Sequence, residues 1–117
     1  MNPIERFDVG ARMSEMAVHG DRVFLAGQVA ADGSQDIGGQ TRQVLAAIDA
    51  LLARAGSDKS RVLMAQIYLA DIADFDAFDA VYRSFFRDPL PCRTTVAAGL
   101  AGIRNEVVFQ TFHVFDE

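Results

Sequence analysis

The sequence predicts an α+β domain: a mixed sheet built in the order β-β-β-α-β-α-β-β, with two helices on one face. Three observations predict it. Segments 36–55 and 75–86 repeat apolar residues at helical spacing. A nearly unbroken apolar run, 61–70, lies between them and suits a central strand covered on both faces. Short runs with hairpin punctuation precede the first helix, and two strand-like segments follow the second.

Each element has its own signal. Residues 4–9 (IERFDV) roughly alternate apolar and charged, the period of an exposed or edge strand. The runs 16–19 and 22–26 flank Gly20-Asp21, which reads as a hairpin turn. Small and polar residues from Gly27 to Ser34 read as a loop leaving the sheet. In 36–55, Val44, Leu45, Ile48, Leu51 and Leu52 form one apolar stripe, with Asp36 placed to cap the start and Gly56 to stop the end. Asp71 to Asp74 make a turn, with Asp74 as the expected cap of the second helix. Phe75, Phe78, Val81, Tyr82, Phe85 and Phe86 form its stripe, and Pro89 and Pro91 end it. Residues 92–98 read as a strand, 99–105 as a loop and 106–115 as a long final strand.

Composition narrows the functional classes. The chain has 117 residues, half of them apolar, and a net charge of 11 − 16 = −5. That fits one domain over 1–117. The acidic balance, without a Lys/Arg run, argues against nucleic acid or an anionic membrane as partner. No apolar run approaches the ~20 residues of a membrane span. The opening MNPIERFDVG has no apolar leader core, and Cys92 is the only cysteine, so a reducing, cytoplasmic setting is expected.

The final strand is apolar in both registers: Val107, Phe109 and Phe115 share one, Val108, Phe112 and Val114 the other. A strand of this kind wants both faces dry. Two helices on one side leave the second face open, so burial against further copies of the chain is expected.

Few residues could carry chemistry. Arg93, in the small and apolar setting PCRTTV, is the first. Its guanidinium cannot discharge, and its planar fork suits a carboxylate held by two parallel hydrogen bonds. The other reading is an edge-strand arginine paired with a surface acid. Gln110 interrupts an apolar register. It could satisfy backbone groups or orient a water, but it has no useful basicity. Gly27 would let a ligand approach the backbone closely, and Thr94 and Thr95 offer hydroxyls near Arg93. Cys92 should point away from Arg93 and pack. His19 and His113 lack a second His or a Cys at ligand spacing, so no metal site is expected and both read as surface residues.

Several of these residues fall into one ordered pattern. The segments VFLAGQ (23–28), QTRQVL (40–45) with Ile48, AGS (55–57), IYLAD (67–71), Asp74-Phe75, Val81-Tyr82, Phe85-Phe86 and PCRTTV (91–96) resemble the Rid family of reactive intermediate deaminases. Arg12-Met13-Ser14 and His19 look closer to its YoaB-like branch. The resemblance implies a chorismate-mutase-like (YjgF-type) fold and a homotrimer with a central barrel, helices outside. It also implies clefts between subunits in which Arg93 holds a substrate carboxylate. Gly27, Thr94 and Thr95 would line the cleft, with Asp79 and Tyr82 in its wall. The family reaction is hydrolysis of small enamine/imine intermediates to 2-keto acids and ammonia, with no metal or organic cofactor.

Two departures stand out. Gln110 sits where the family has a water-activating glutamate, and Met13-Ser14 sits where it has an early tyrosine. Losing a general base costs ~10²–10⁴ in rate. Two functions are therefore expected of this site: an imine deaminase using Arg93 and Gln110, or a small-carboxylate-binding trimer with little turnover. A nuclease, the third class, fits neither the acidic balance nor the unpaired histidines.

Overall fold

The computed structural model describes residues 3–102 and 104–114, the last three by their backbone alone. They form six strands and two α-helices in the expected order: β1 (Ile4–Phe7), β2 (Met16–His19), β3 (Arg22–Leu25), α1 (Ile37–Arg54), β4 (Val62–Leu69), α2 (Phe75–Phe85), β5 (Cys92–Ala97) and β6 (Val107–Val114). One six-stranded sheet runs β1-β2-β3-β6-β4-β5. All neighbours are antiparallel except β4 and β5, the pair that α2 connects. A parallel pair needs such a crossover, whereas Gly20, at φ 60°, closes the tight β2–β3 hairpin.

Local chemistry sets the helix ends. The Asp36 carboxylate accepts the Gly39 N–H at 2.8 Å and caps α1. Gly56, at φ 77°, stops it, and the Ser57 N–H donates back to Leu52 O at 2.8 Å. The fully buried Gln40 anchors the first turn: its amide donates to Arg104 O at 2.9 Å and accepts the Glu106 N–H at 2.9 Å, tying α1 to the start of β6. At α2 the cap position falls on the expected residue, but without its bond. Asp74 occupies the cap position without a side-chain bond, while Asp71 caps the preceding 3-10 turn (Ile72–Asp74) by accepting the Ala73 N–H.

The core lies between the helices and one sheet face. Val23, Leu25, Ala65, Ile67, Leu69, Val107 and Phe109 point into it and are buried. Phe78 and Tyr82 of α2 pack on Phe109, with ring centroids 5.6 and 6.0 Å away. The opposite face carries Phe24, Met64, Gln66, Tyr68, Val96 and Val108. Within the chain β4 is therefore covered on one face only, and Phe24 and Val96 remain 43% and 40% exposed. The side chains of Phe112, His113 and Val114, and all of Phe115, lie outside the described residues.

Two further expectations change. β1 ends at Phe7 because Asp8 turns to φ 53°. Gln28 does not leave the sheet: its N–H donates to Phe109 O at 2.7 Å, and the Phe109 N–H returns to Gln28 O at 3.1 Å.

Candidate active site

β5 is an edge strand, and its alternation decides what each residue can reach. Arg93 lies opposite Ala65 and Thr95 opposite Ile67, so both project to the helix-covered face. Thr94, opposite Gln66, projects to the other face, as does Cys92, which is exposed rather than packed. An edge position leaves Cys92 with a strand on one side only.

Arg93 runs under α2. Its guanidinium carbon lies 4.7 Å from the Tyr82 ring centroid, 5.4 Å from Phe75 and 5.8 Å from Phe78. An aromatic floor of this kind holds a cation through its π faces without consuming its N–H donors. Asp79 accepts from one of them, Nη1 to Oδ1 at 2.6 Å, and its other oxygen forms an ion pair with Arg83 Nε at 3.0 Å. Among the described residues no other acceptor engages the Arg93 guanidinium. Two arginines sharing one carboxylate leave 2 − 1 = +1, the charge that balances a monocarboxylate.

A cavity of about 240 Å³ opens beside this group, lined by Asp79, Tyr82, Arg83, Leu90, Pro91 and Arg93. The buried Tyr82 and Thr95 hydroxyls have no hydrogen-bond partner among the described residues. Buried hydroxyls are costly to leave unpaired; Tyr82 lines the Arg93 cavity, and Thr95 lies on the same face of β5 as Arg93. Burial pushes the Tyr82 phenol above its ordinary range; the Arg93 cation opposes the rise and Asp79 adds to it. Tyr82 therefore keeps its proton near neutral pH and can donate it in a hydrogen bond.

A second cavity, about 470 Å³, contains Gly27. Asp8, Met13, Glu15 and Gln28 also line it, with α1 behind. A Cβ on Gly27 would stand 2.9 Å from Val108 Cγ1, so only glycine allows this close approach. The nearly buried Gln28 amide donates to Glu15 Oε2 at 2.9 Å and to Ala26 O at 3.1 Å. Sequence reasoning missed both Glu15 and the Gln28 amide. Met13-Ser14 marked the neighbourhood, but nothing local singles out Glu15.

The structure thus gathers Arg93, Asp79 and Tyr82 around one cavity, with Thr95 on the same sheet face but outside the lining. Gly27 lines the second cavity. Thr94 and Gln110 face the open side of the sheet, where Gln110 lies across from Gln66. Gln110 is half-buried there, on the opposite face from Arg93 of its own chain. His19 is exposed, and the His113 side chain is not among those described. No three His, Cys, Asp or Glu side chains converge as metal ligands among the described residues. No described helix is long and apolar enough to cross a membrane.

Comparison with known proteins adds a family. The family model described as Endoribonuclease L-PSP matches residues 3–108. A RutC family protein of Haemophilus ducreyi is 41% identical over 99 residues, covering 84% of this chain and 85% of that one. The RutC family protein YoaB of Escherichia coli is 37% identical over 105 residues, covering 89% and 91%. A solved YjgF-family structure from Neisseria meningitidis superposes with a TM-score of 0.94 at 34% identity, covering 98% of this chain and 97% of that one.

Proposed function

The chain belongs to this Endoribonuclease L-PSP family, which takes in the RutC and YjgF proteins, and within it we propose a hydrolytic deaminase of small amino-acid-derived imines, releasing 2-keto acids and ammonia. One observation carries the reading. A permanently charged Arg93 rests on aromatic rings beside a cavity, with spare donors and the unpartnered buried hydroxyl of Tyr82. A small carboxylate with a polar α-substituent would satisfy all of them.

The chemistry asks little of the protein. An imine is already electrophilic, and water attacks its carbon once both are held in place. Arg93 would fix the carboxylate through the donors that Asp79 leaves open. Tyr82 and Thr95 would donate to substrate oxygen or nitrogen, and fixed geometry would supply much of the rate. No cofactor enters this scheme.

The two cavities point to an assembly. Arg93 lies on the edge strand β5, and Gly27 follows β3, two strands beyond β4 in the sheet. Head-to-tail contact between copies would bring one cavity onto the other, and such contacts close into rings. A homotrimer with a central barrel would also cover the open face that carries Phe24, Tyr68, Val96 and Val108. Gln110 could meet a ligand only in that setting. A single cysteine and net negative charge fit a cytoplasmic protein.

The test uses imines formed in situ by an amino-acid oxidase acting on several amino acids, with 2-keto acid release followed in time. Wild type should accelerate release, and Arg93→Ala should lose about 10²-fold in kcat/KM, the effect of one strong charge-assisted bond of about 1.5–3 kcal/mol. The second reading, a keto-acid-binding trimer, rests on Gln110, which cannot accept a proton. Tight pyruvate binding without acceleration would establish it. RNA cleavage abolished by Arg93→Ala would overturn both.

A further inference from the structure

We propose that Glu15 is the proton acceptor of this site, supplying the base that Gln110 cannot; the assignment rests on the deaminase reading above. Two carboxylates line the Gly27 cavity, and they differ sharply. Both oxygens of Asp8 accept from Arg54, at 2.6 and 3.1 Å, and that pairing holds its carboxyl below the usual range. Asp8 is therefore a poor base. Glu15 accepts from a neutral amide through one oxygen only, and its Oε1 has no partner among the described residues.

Glu15 is also aimed. Gln28 is 8% exposed, and both protons of its amide are committed, one to Glu15 and one to Ala26 O. The backbone of Glu15 is pinned as well. Its N–H donates to Phe7 O at 3.0 Å, and its carbonyl accepts the Ala26 N–H at 2.9 Å. A half-buried carboxylate fixed in this way, on the wall of a cavity, is pre-organised for proton transfer. The Arg93 cavity has no comparable group, because Asp79 is shared between two arginines.

Arg93 of one copy holds the carboxylate of the protonated imine. Glu15 of the adjoining copy takes a proton from water as the oxygen bonds to the imine carbon, and the C=N π pair moves to nitrogen. The protonated Glu15 returns that proton to nitrogen. The C–N bond then breaks with its electron pair leaving on ammonia, while Glu15 takes the hydroxyl proton as the ketone forms. That proton passes to ammonia, leaving a 2-keto acid, ammonium and ionised Glu15.

The experiment measures keto-acid release from the alanine-derived imine by wild type, Glu15→Gln, Glu15→Asp and Arg93→Ala, with pyruvate binding by calorimetry as the check on folding and assembly. Glu15→Gln should lower kcat by about 10²-fold while KM and pyruvate affinity stay within about threefold. Glu15→Asp should recover part of the rate, because a carboxylate remains. If Arg93→Ala abolishes acceleration and Glu15→Gln keeps wild-type kcat, the assignment to Glu15 falls and the deaminase reading survives. If Glu15→Gln loses pyruvate binding together with activity and Glu15→Asp restores neither, the role is structural and the assignment falls. If wild type gives no acceleration at all, both fall.

Discussion

The two cavities of this domain are built in opposite ways. The Arg93 cavity is a cation on a bed of rings, with net charge +1 from two arginines and one aspartate. The Gly27 cavity has net charge −1, from Asp8 and Glu15 against Arg54. The first is held by α2 and an edge strand, the second by hydrogen bonds among the turns around β2 and β3. On the proposed reading each would hold half of what hydrolysis of an anionic substrate needs: an anion clamp in one, a proton acceptor in the other. Their opposite charges also favour contact between one copy's Arg93 side and the next copy's Gly27 side.

The most damaging way to break the contrast is to remove the floor of the Arg93 cavity. Phe78 is fully buried and touches Phe75, Tyr82 and Phe109 as well as the guanidinium. Phe78→Ala should cost about 3–5 kcal/mol in a denaturant titration, by lost burial and a residual void. Where the variant still folds, pyruvate binding should weaken with it, since Arg93 loses a wall. A loss below about 1 kcal/mol would mean that the rings do not carry the site.

A more selective perturbation falls on the other cavity. In Gly27→Ala the added methyl would stand 2.9 Å from Val108 Cγ1, and Val108 must move. Overpacking of this kind costs about 1–3 kcal/mol. Deaminase turnover should fall with it, while the Tyr82 and Arg93 side keeps its geometry. Full activity in Gly27→Ala would detach the Gly27 cavity from the reaction, and chemical denaturation alongside the assay separates the two effects.

How much of this could be read beforehand follows from where each signal resides. α1 was readable from end to end, because its stripe, its Asp36 cap and its Gly56 stop all lie within the segment they shape. Arg93 stood out as a permanent charge in a small apolar setting, and its Asp79 and Tyr82 partners share a helical face three residues apart. Asp74 takes the cap position of α2 as expected, but its side chain makes no cap bond, which depends on backbone angles the segment does not reveal. The Gln28–Phe109 bridge was hidden, since a single pair leaves no periodicity. Glu15 was hidden for a related reason: its meaning comes from an amide thirteen residues away, across a hairpin. Cys92 could not be placed without knowing that β5 lies at the sheet edge.

The mildest test deletes one oxygen. Tyr82→Phe removes a buried hydroxyl that has no partner among the described residues, so stability at neutral pH should be unchanged or slightly higher. Pyruvate affinity should drop by about 2–10-fold, the value of one ordinary hydrogen bond of about 0.5–1.5 kcal/mol. The pH dependence separates the variant further. Burial raises the folded-state pKa of Tyr82 above its ordinary 10.0. Above pH 10.0 the unfolded chain therefore releases this proton while the folded chain keeps it. The unfolded state then binds fewer protons, so stability contributed by Tyr82 is present below that pH and falls as pH rises through it. Melting temperatures from pH 8 to 11 should fall more steeply for wild type than for Tyr82→Phe. Parallel curves would mean that the phenol is solvated after all, and the polar lining of the Arg93 cavity would reduce to its ions.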